Sequence, residues 1–128
     1  MKIIMSNGKI YELVNKLLKE FNSFESGIEL PIRVNYAIQY NLTKLTELYM
    51  DIEKARNTVG QKYGYFLEEE NSYKIKKENL EKAQQELDML LEIQHTVNIV
   101  TIKLEDLGEI KMTPQQMASI IFMIEREE

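Results

Sequence analysis

The chain has no cysteine, no tryptophan, one histidine, two prolines and five glycines in 128 residues. Without cysteine there are no disulfides, no thiolate zinc sites and no thiol nucleophile. The lone His95 has no second imidazole and no serine motif near it, so neither a histidine metal site nor a Ser-His-Asp relay can be assembled from this chain. A solvated or locally hydrogen-bonded imidazole is the expected reading of His95. Long apolar runs are also missing. Nothing approaches the roughly 20 consecutive apolar residues that span a bilayer, and the stretch Met1 to Met5 is shorter than a signal-peptide core. A cytoplasmic protein with no membrane association is therefore expected.

What is present belongs to a folded chain. Hydrophobic residues make up 44% and charged residues 29% of the sequence, which sets it apart from disordered and low-complexity proteins. Its length suits one domain over residues 1–128 with one hydrophobic core. The formal net charge is −5, and the acid is concentrated in the second half, so a general attraction to phosphate backbones is missing. A nucleic-acid partner is accordingly disfavoured.

Hydrophobic spacing sets out the architecture. An apolar strand from Lys2 to Met5 precedes Asn7-Gly8, a dipeptide suited to a turn. Ile10, Leu13, Val14, Leu17, Leu18 and Phe21 then recur at steps of three and four and predict a helix over 9–22. After a connection at 22–29, Pro31 suits the first turn of a long helix running to Val59. Along it Ile38, Leu45, Ile52 and Val59 interleave with Asn41, Leu48 and Ala55 as a heptad seam, which calls for a partner helix. Gly60 and Gly64 mark the end of that helix, a small hairpin or loop follows over 60–75, and Leu80, Ala83, Leu87 and Leu90 carry the return helix over 76–93. The β-branched run from Thr96 to Leu104 predicts a strand with apolar residues on both faces, and Glu109–Met112 a further short one. Thr113-Pro114-Gln115-Gln116 combines an N-cap, a proline at the first helical position and a capping-box glutamine, starting a last helix over 114–125.

The expected fold is thus α+β and mostly helical. A long antiparallel, coiled-coil-like helical hairpin spans 31–93 with its tip at 60–75. Its base contains strands from 1–8 and 96–112, and helices flank it at both ends.

Two groups of residues are candidates for function. Arg33, Tyr36, Tyr40 and Lys44 line one stripe of the long helix, offset from the seam. A cation, two phenols and a second cation in a row suit an anionic, aromatic ligand such as a nucleotide. The alternative is that the tyrosines pack on the N-terminal helix, the commoner use of aromatics at helical spacing. Asn41, on the seam, is either a ligand contact or a polar residue that sets register or oligomer state. The second group is Met117, Ile120, Ile121, Phe122, Met123 and Ile124. A helix apolar on more than one face needs cover on more than one face, which predicts an oligomer interface. The run Glu68-Glu69-Glu70 does not match a calcium loop and reads as a solvated tip, and Gly60 and Gly64 lack the Lys-Ser/Thr of a phosphate loop. No metal site, cofactor or catalytic set is expected.

The pattern Leu30-Pro31-x-Arg33-x-x-Tyr36-x-Ile38-x-x-Asn41, with Ile52-Glu53-x-Ala55-Arg56, Lys62-Tyr63-Gly64 and the Thr113-Pro114 helix, resembles uncharacterised small proteins of phages and prophages of Gram-positive bacteria. The resemblance carries no activity. It implies a phage origin, an infected bacterial cell as the setting, and an accessory role. Three functions follow as expectations. The first is a non-enzymatic counter-defence protein that sequesters a small nucleotide-derived immune signal or occludes a host defence protein. The second is an oligomeric assembly factor, akin in shape to prefoldin-like chaperones. The last, and least supported, is an enzyme using carboxylates such as Glu92 or Glu105 with a borrowed metal. A homo-oligomer is expected in each case.

Overall fold

The computed structural model describes residues 1–21 and 29–125. Four helices and two small antiparallel sheets alternate along the chain in the order β1 (Lys2–Ser6), α1 (Asn7–Glu20), α2 (Ile32–Tyr63), β2 (Gly64–Leu67), β3 (Ser72–Ile75), α3 (Leu80–Glu92), β4 (Gln94–Asn98) and α4 (Pro114–Ile120). The expected mostly helical α+β class is what the structure has. The connection foreseen at 22–29 lies almost wholly outside the described residues.

The chain enters α1 directly from β1, and the turn expected at Asn7-Gly8 does not exist. Ser6 ends the strand opposite Gln94 and at once caps the helix, its Oγ accepting the Lys9 N–H at 3.1 Å. A serine in that position satisfies one of the orphan donors of the first turn, so the helix begins a residue later with Asn7 and Gly8 inside it. Asn7 is itself buried. Its Nδ2 donates to the Leu90 carbonyl and its backbone N–H to that of Ile93, both at 2.8 Å, which ties the end of α3 to the start of α1.

α2 is the spine. Its 32 residues extend about 48 Å, against about 20 Å for the 13 of α3, so the hairpin is unequal. Over its first two-thirds α2 buries Val34, Ala37, Ile38, Leu45 and Ile52 in a cluster with Ile10, Leu13, Val14 and Leu17 of α1. Only its far end runs beside α3. The seam therefore has two successive helical partners, α1 and then α3. The helix passes through Gly60 and ends at Tyr63, where the Gly64 N–H still bonds to the Gly60 carbonyl.

β1 and β4 pair antiparallel with Lys2 opposite Asn98 and Ser6 opposite Gln94. Met1 and Ile99 extend the ladder by one exchange of hydrogen bonds, at 3.0 and 2.9 Å. The strand expected to reach Leu104 stops at Asn98, and from Val100 on the chain turns to other partners, Val100 to the Asn41 side chain and Ile102 to the Ile124 segment. His95 consequently lies within β4, opposite Met5. Beyond it Ile102 makes a single parallel bridge to Ile124, with its N–H on the Met123 carbonyl and its carbonyl taking the Glu125 N–H. Residues 109–112 form no strand.

The capping box of α4 is complete. Thr113 Oγ1 accepts the Gln116 N–H at 3.1 Å and Gln116 Oε1 accepts the Thr113 N–H at 2.9 Å. The helix does not continue to 125, however: a 3-10 turn over Ile121–Met123 tightens the chain, and Ile124 is extended to meet Ile102. That change of pitch answers the puzzle of a helix apolar on several sides. Ile120 and Met123 both point into the core of this chain and are fully buried, so neither is available to a second subunit.

Candidate functional site

The first turns of α2 present opposite faces to core and solvent. Val34, Ala37, Ile38 and Asn41 are buried, while Arg33, Tyr36 and Lys44 are exposed and Tyr40 is half-buried. Tyr36 is 59% exposed, and the expected alternative of packing on α1 does not describe it. Its ring stacks on that of Tyr40 with centroids 6.1 Å apart and planes inclined by 29°, and the Lys44 ammonium sits 5.7 Å from the Tyr40 centroid. Four side chains foreseen as a stripe are thus neighbours along the solvent face of one helix.

Arg33 and Tyr36 also form one wall of a groove of about 510 Å³. Opposite them runs the extended segment Val100–Lys103, with Asp106 and Glu125 at its ends. Arg33 Nη1 lies 3.9 Å from Asp106 Oδ1, a loose pair in which the guanidinium keeps most of its surface in solvent. Asp106 is held by a second bond, its Oδ2 accepting the Lys103 N–H at 2.9 Å where a 3-10 turn begins at Leu104. Glu125 is held by Thr101, whose hydroxyl donates to Oε1 at 2.9 Å. The groove accordingly has an apolar lining from Ile32, Val100 and Ile102, an aromatic face from Tyr36, and two cations and two carboxylates around it.

Asn41 takes no part in that groove. It is completely buried, and its amide makes both hydrogen bonds of a β-bridge with one residue: Nδ2 donates to the Val100 carbonyl and Oδ1 accepts the Val100 N–H, each at 2.8 Å. The same Nδ2 lies 3.6 Å from Met123 Sδ. Asn41 is therefore a clamp on the groove's far wall and not a ligand contact, since its polar atoms are already used. It sets register, but against an extended segment instead of a helix.

The other foreseen group divides. Ile120 and Met123 are core, Met117 is half-buried at the edge of that core, and Ile121, Phe122 and Ile124 line a second groove of about 610 Å³ with Met1 and Ile3. Ile121 is 65% exposed. Thr101 and Glu125 border both grooves, so their hydrogen bond forms a ridge between them. Two groups of residues separated by some 80 positions in sequence meet across the same segment.

Elsewhere, Glu92 ends α3 and Glu105 lies in the 3-10 turn, both exposed. Among the described residues no three His, Asp or Glu side chains gather as a metal site would require, and no helix is long and apolar enough to cross a membrane.

One polar cluster escaped the sequence reading. Tyr11 of α1 stacks on Tyr49 of α2 with centroids 4.7 Å apart, and its hydroxyl accepts from Arg56, which also bonds Glu53 at 3.0 Å. Burial, with hydrogen bonds to Tyr49 and Glu53, pushes the Tyr11 hydroxyl well above its ordinary titration range. The spacing of Tyr49, Glu53 and Arg56 along one helix face was the available signal; its partner on α1 was not.

No family model, no curated protein and no solved structure matches the chain.

Proposed function

We propose that this is a non-enzymatic binding protein whose groove between α2 and the 100–103 segment holds a small anionic molecule with a flat ring, of the nucleotide-derived kind. One observation carries the reading: Tyr36 and Arg33, both largely exposed, face an apolar wall across about 510 Å³. A ring laid on Tyr36 gains stacking and excludes water from Ile32, Val100 and Ile102. An anionic group beside Arg33 competes only with the loose Asp106 contact, and the planar guanidinium suits phosphate. In the phage setting implied by the resemblance, holding such a molecule would withdraw an immune signal from the host.

Isothermal titration against cyclic nucleotides and ADP-ribose derivatives tests the proposal. At least one compound is expected to bind one per chain, and Arg33→Ala and Tyr36→Ala, both at exposed positions, are expected to weaken it at least tenfold while leaving the circular dichroism unchanged. Absence of binding across the panel removes the small-ligand reading.

The exposed apolar side chains of α3, Leu80 and Met89, favour the second reading, an assembly factor that holds other proteins through its arm. Deleting the gene would then reduce particle yield even in a host without defences.

A further inference from the structure

The β2–β3 ribbon is anchored with a care that the rest of its surroundings does not explain. Two strands of four residues are marginal alone. Here Tyr73 lies directly on Gly60, where a Cβ would come within 2.6 Å of its ring, and Phe66 meets Tyr73 edge-on at 5.2 Å. Gly64 approaches the Lys74 carbonyl so closely that no side chain fits. Gln61 donates to the Tyr73 hydroxyl at 3.0 Å and the Asn79 amide to the Tyr63 carbonyl at 3.2 Å. The ribbon packs on the end of α2 through Tyr73, and its outer residues Tyr65 and Phe66 stay exposed.

Its surface is polarised. The turn is Glu68-Glu69-Glu70-Asn71, with Asn71 in the left-handed region at φ 49° as the closing position requires. At the root, roughly 10 Å back along the ribbon, lie Lys74, Lys76 and Lys77, which with Tyr65, Ile75 and Leu80 line a shallow groove of about 790 Å³ that also holds one carboxylate, Glu78, and so keeps a net positive charge. Tyr65 and Leu80 are 45% and 54% exposed. Among the described residues no ion pair neutralises either group of charges.

We infer that the ribbon is a self-complementary docking surface for a second copy of this chain, with the acidic turn of each copy seated in the lysine-lined groove of the other. A two-fold interface brings the same patch together with itself, so each copy must carry both halves of every contact. A patch acidic at one end, basic at the other and apolar between them meets that condition when two ribbons run antiparallel. A purely basic surface would repel its own copy.

Charge exchange tests this. The wild-type chain is expected to sediment as a dimer at micromolar concentration and to dissociate with rising salt. A variant with Glu68→Lys, Glu69→Lys and Glu70→Lys, and another with Lys74→Glu, Lys76→Glu and Lys77→Glu, are each expected to be folded monomers, with the dissociation constant raised at least tenfold. Mixed in equal amounts they are expected to restore the dimer mass. Ile121→Asp, on the opposite end of the molecule, should leave the dimer unchanged. A wild-type monomer, variants that dimerise as the wild type does, or a mixture of folded variants that stays monomeric each overturn the inference. Binding of a single-stranded oligonucleotide by a monomeric wild-type chain, lost in the all-glutamate variant, would assign the lysines to phosphate and overturn it as well.

Discussion

Base and arm of this molecule are stabilised in different ways. The buried cluster draws on β1, α1, α2 up to Ile52, the residues around β4, and the C-terminal turns; β2 and β3 contribute nothing to it, and α3 only half-buried Leu90, packed against its edge. Between residues 53 and 93 only Gly60 and Ala83 are buried. These are the two smallest kinds of side chain, so the arm is joined by close backbone approach, half-buried contacts such as Phe66 on Tyr73 and exposed pairs such as Lys62 Nζ to Glu86 Oε1 at 2.8 Å, whereas the base removes large apolar side chains fully from water. Most of the fully buried apolar surface lies in the base.

The sharpest way to break this division is at Asn41, because the base depends on a polar bond as well as on burial. Asn41→Leu keeps the volume but strips the half-buried N–H and carbonyl of Val100 of their partner and is expected to cost about 2–3 kcal/mol in denaturant unfolding. An unchanged midpoint would show that the clamp is dispensable. In the arm, Gly60→Ala places a methyl group where the Tyr73 ring sits. Relief of the overlap is expected to loosen the ribbon by about 1 kcal/mol, seen as faster amide exchange over 64–75 with the global melting temperature little altered. A fall in global stability as large as that of Asn41→Leu would mean that arm and base unfold as one unit.

The smallest effect belongs to the junction, where Tyr11 reaches from α1 to Arg56 of α2. Its hydroxyl titrates above the ordinary 10.0, so the folded state holds the proton longer than the unfolded state does. The sign follows from proton linkage: this contribution is complete below pH 10 and is lost as the pH rises through the folded-state value. Tyr11→Phe keeps the stacking on Tyr49, is expected to cost about 0.5 kcal/mol at neutral pH, and should flatten the decline of stability above pH 10 in alkaline unfolding. An equally steep decline in Tyr11→Phe would place the titration elsewhere.

The sequence made the helices legible because each buries a stripe at three- and four-residue spacing, and the Thr113 cap was readable residue by residue. Strand limits were not. The run Val97 to Ile102 is β-branched at every position but Asn98, yet a strand extends only as far as it is paired, and the last exchange with the β1 side is at Ile99. The last helix was overextended for a related reason: its apolar content is indifferent to pitch, and the demand that Ile124 bridge Ile102 comes from 22 positions away. At the candidate site the stripe Arg33, Tyr36, Tyr40 and Lys44 was visible as helical spacing. What faces it was not, because Val100, Asp106 and Glu125 reach the groove only through tertiary folding. For Asn41 the two readings, ligand contact or register-setting residue, are not separable from the sequence, since nothing local distinguishes an amide aimed at a ligand from one aimed at an extended segment.

The pairing of β1 with β4 has a consequence for how the molecule is made. The strands that close the base are separated by α1, α2, the ribbon and α3, so the long loop between them must be shut before any of their hydrogen bonds can form. A chain emerging from its N-terminus can wind α2, turn the ribbon and bring α3 back by contacts near in sequence. Its first strand meanwhile has no partner. The arm, whose contacts are near in sequence, is therefore the part that can form first, and the base, which holds most of the fully buried side chains, is completed only when β4 reaches β1.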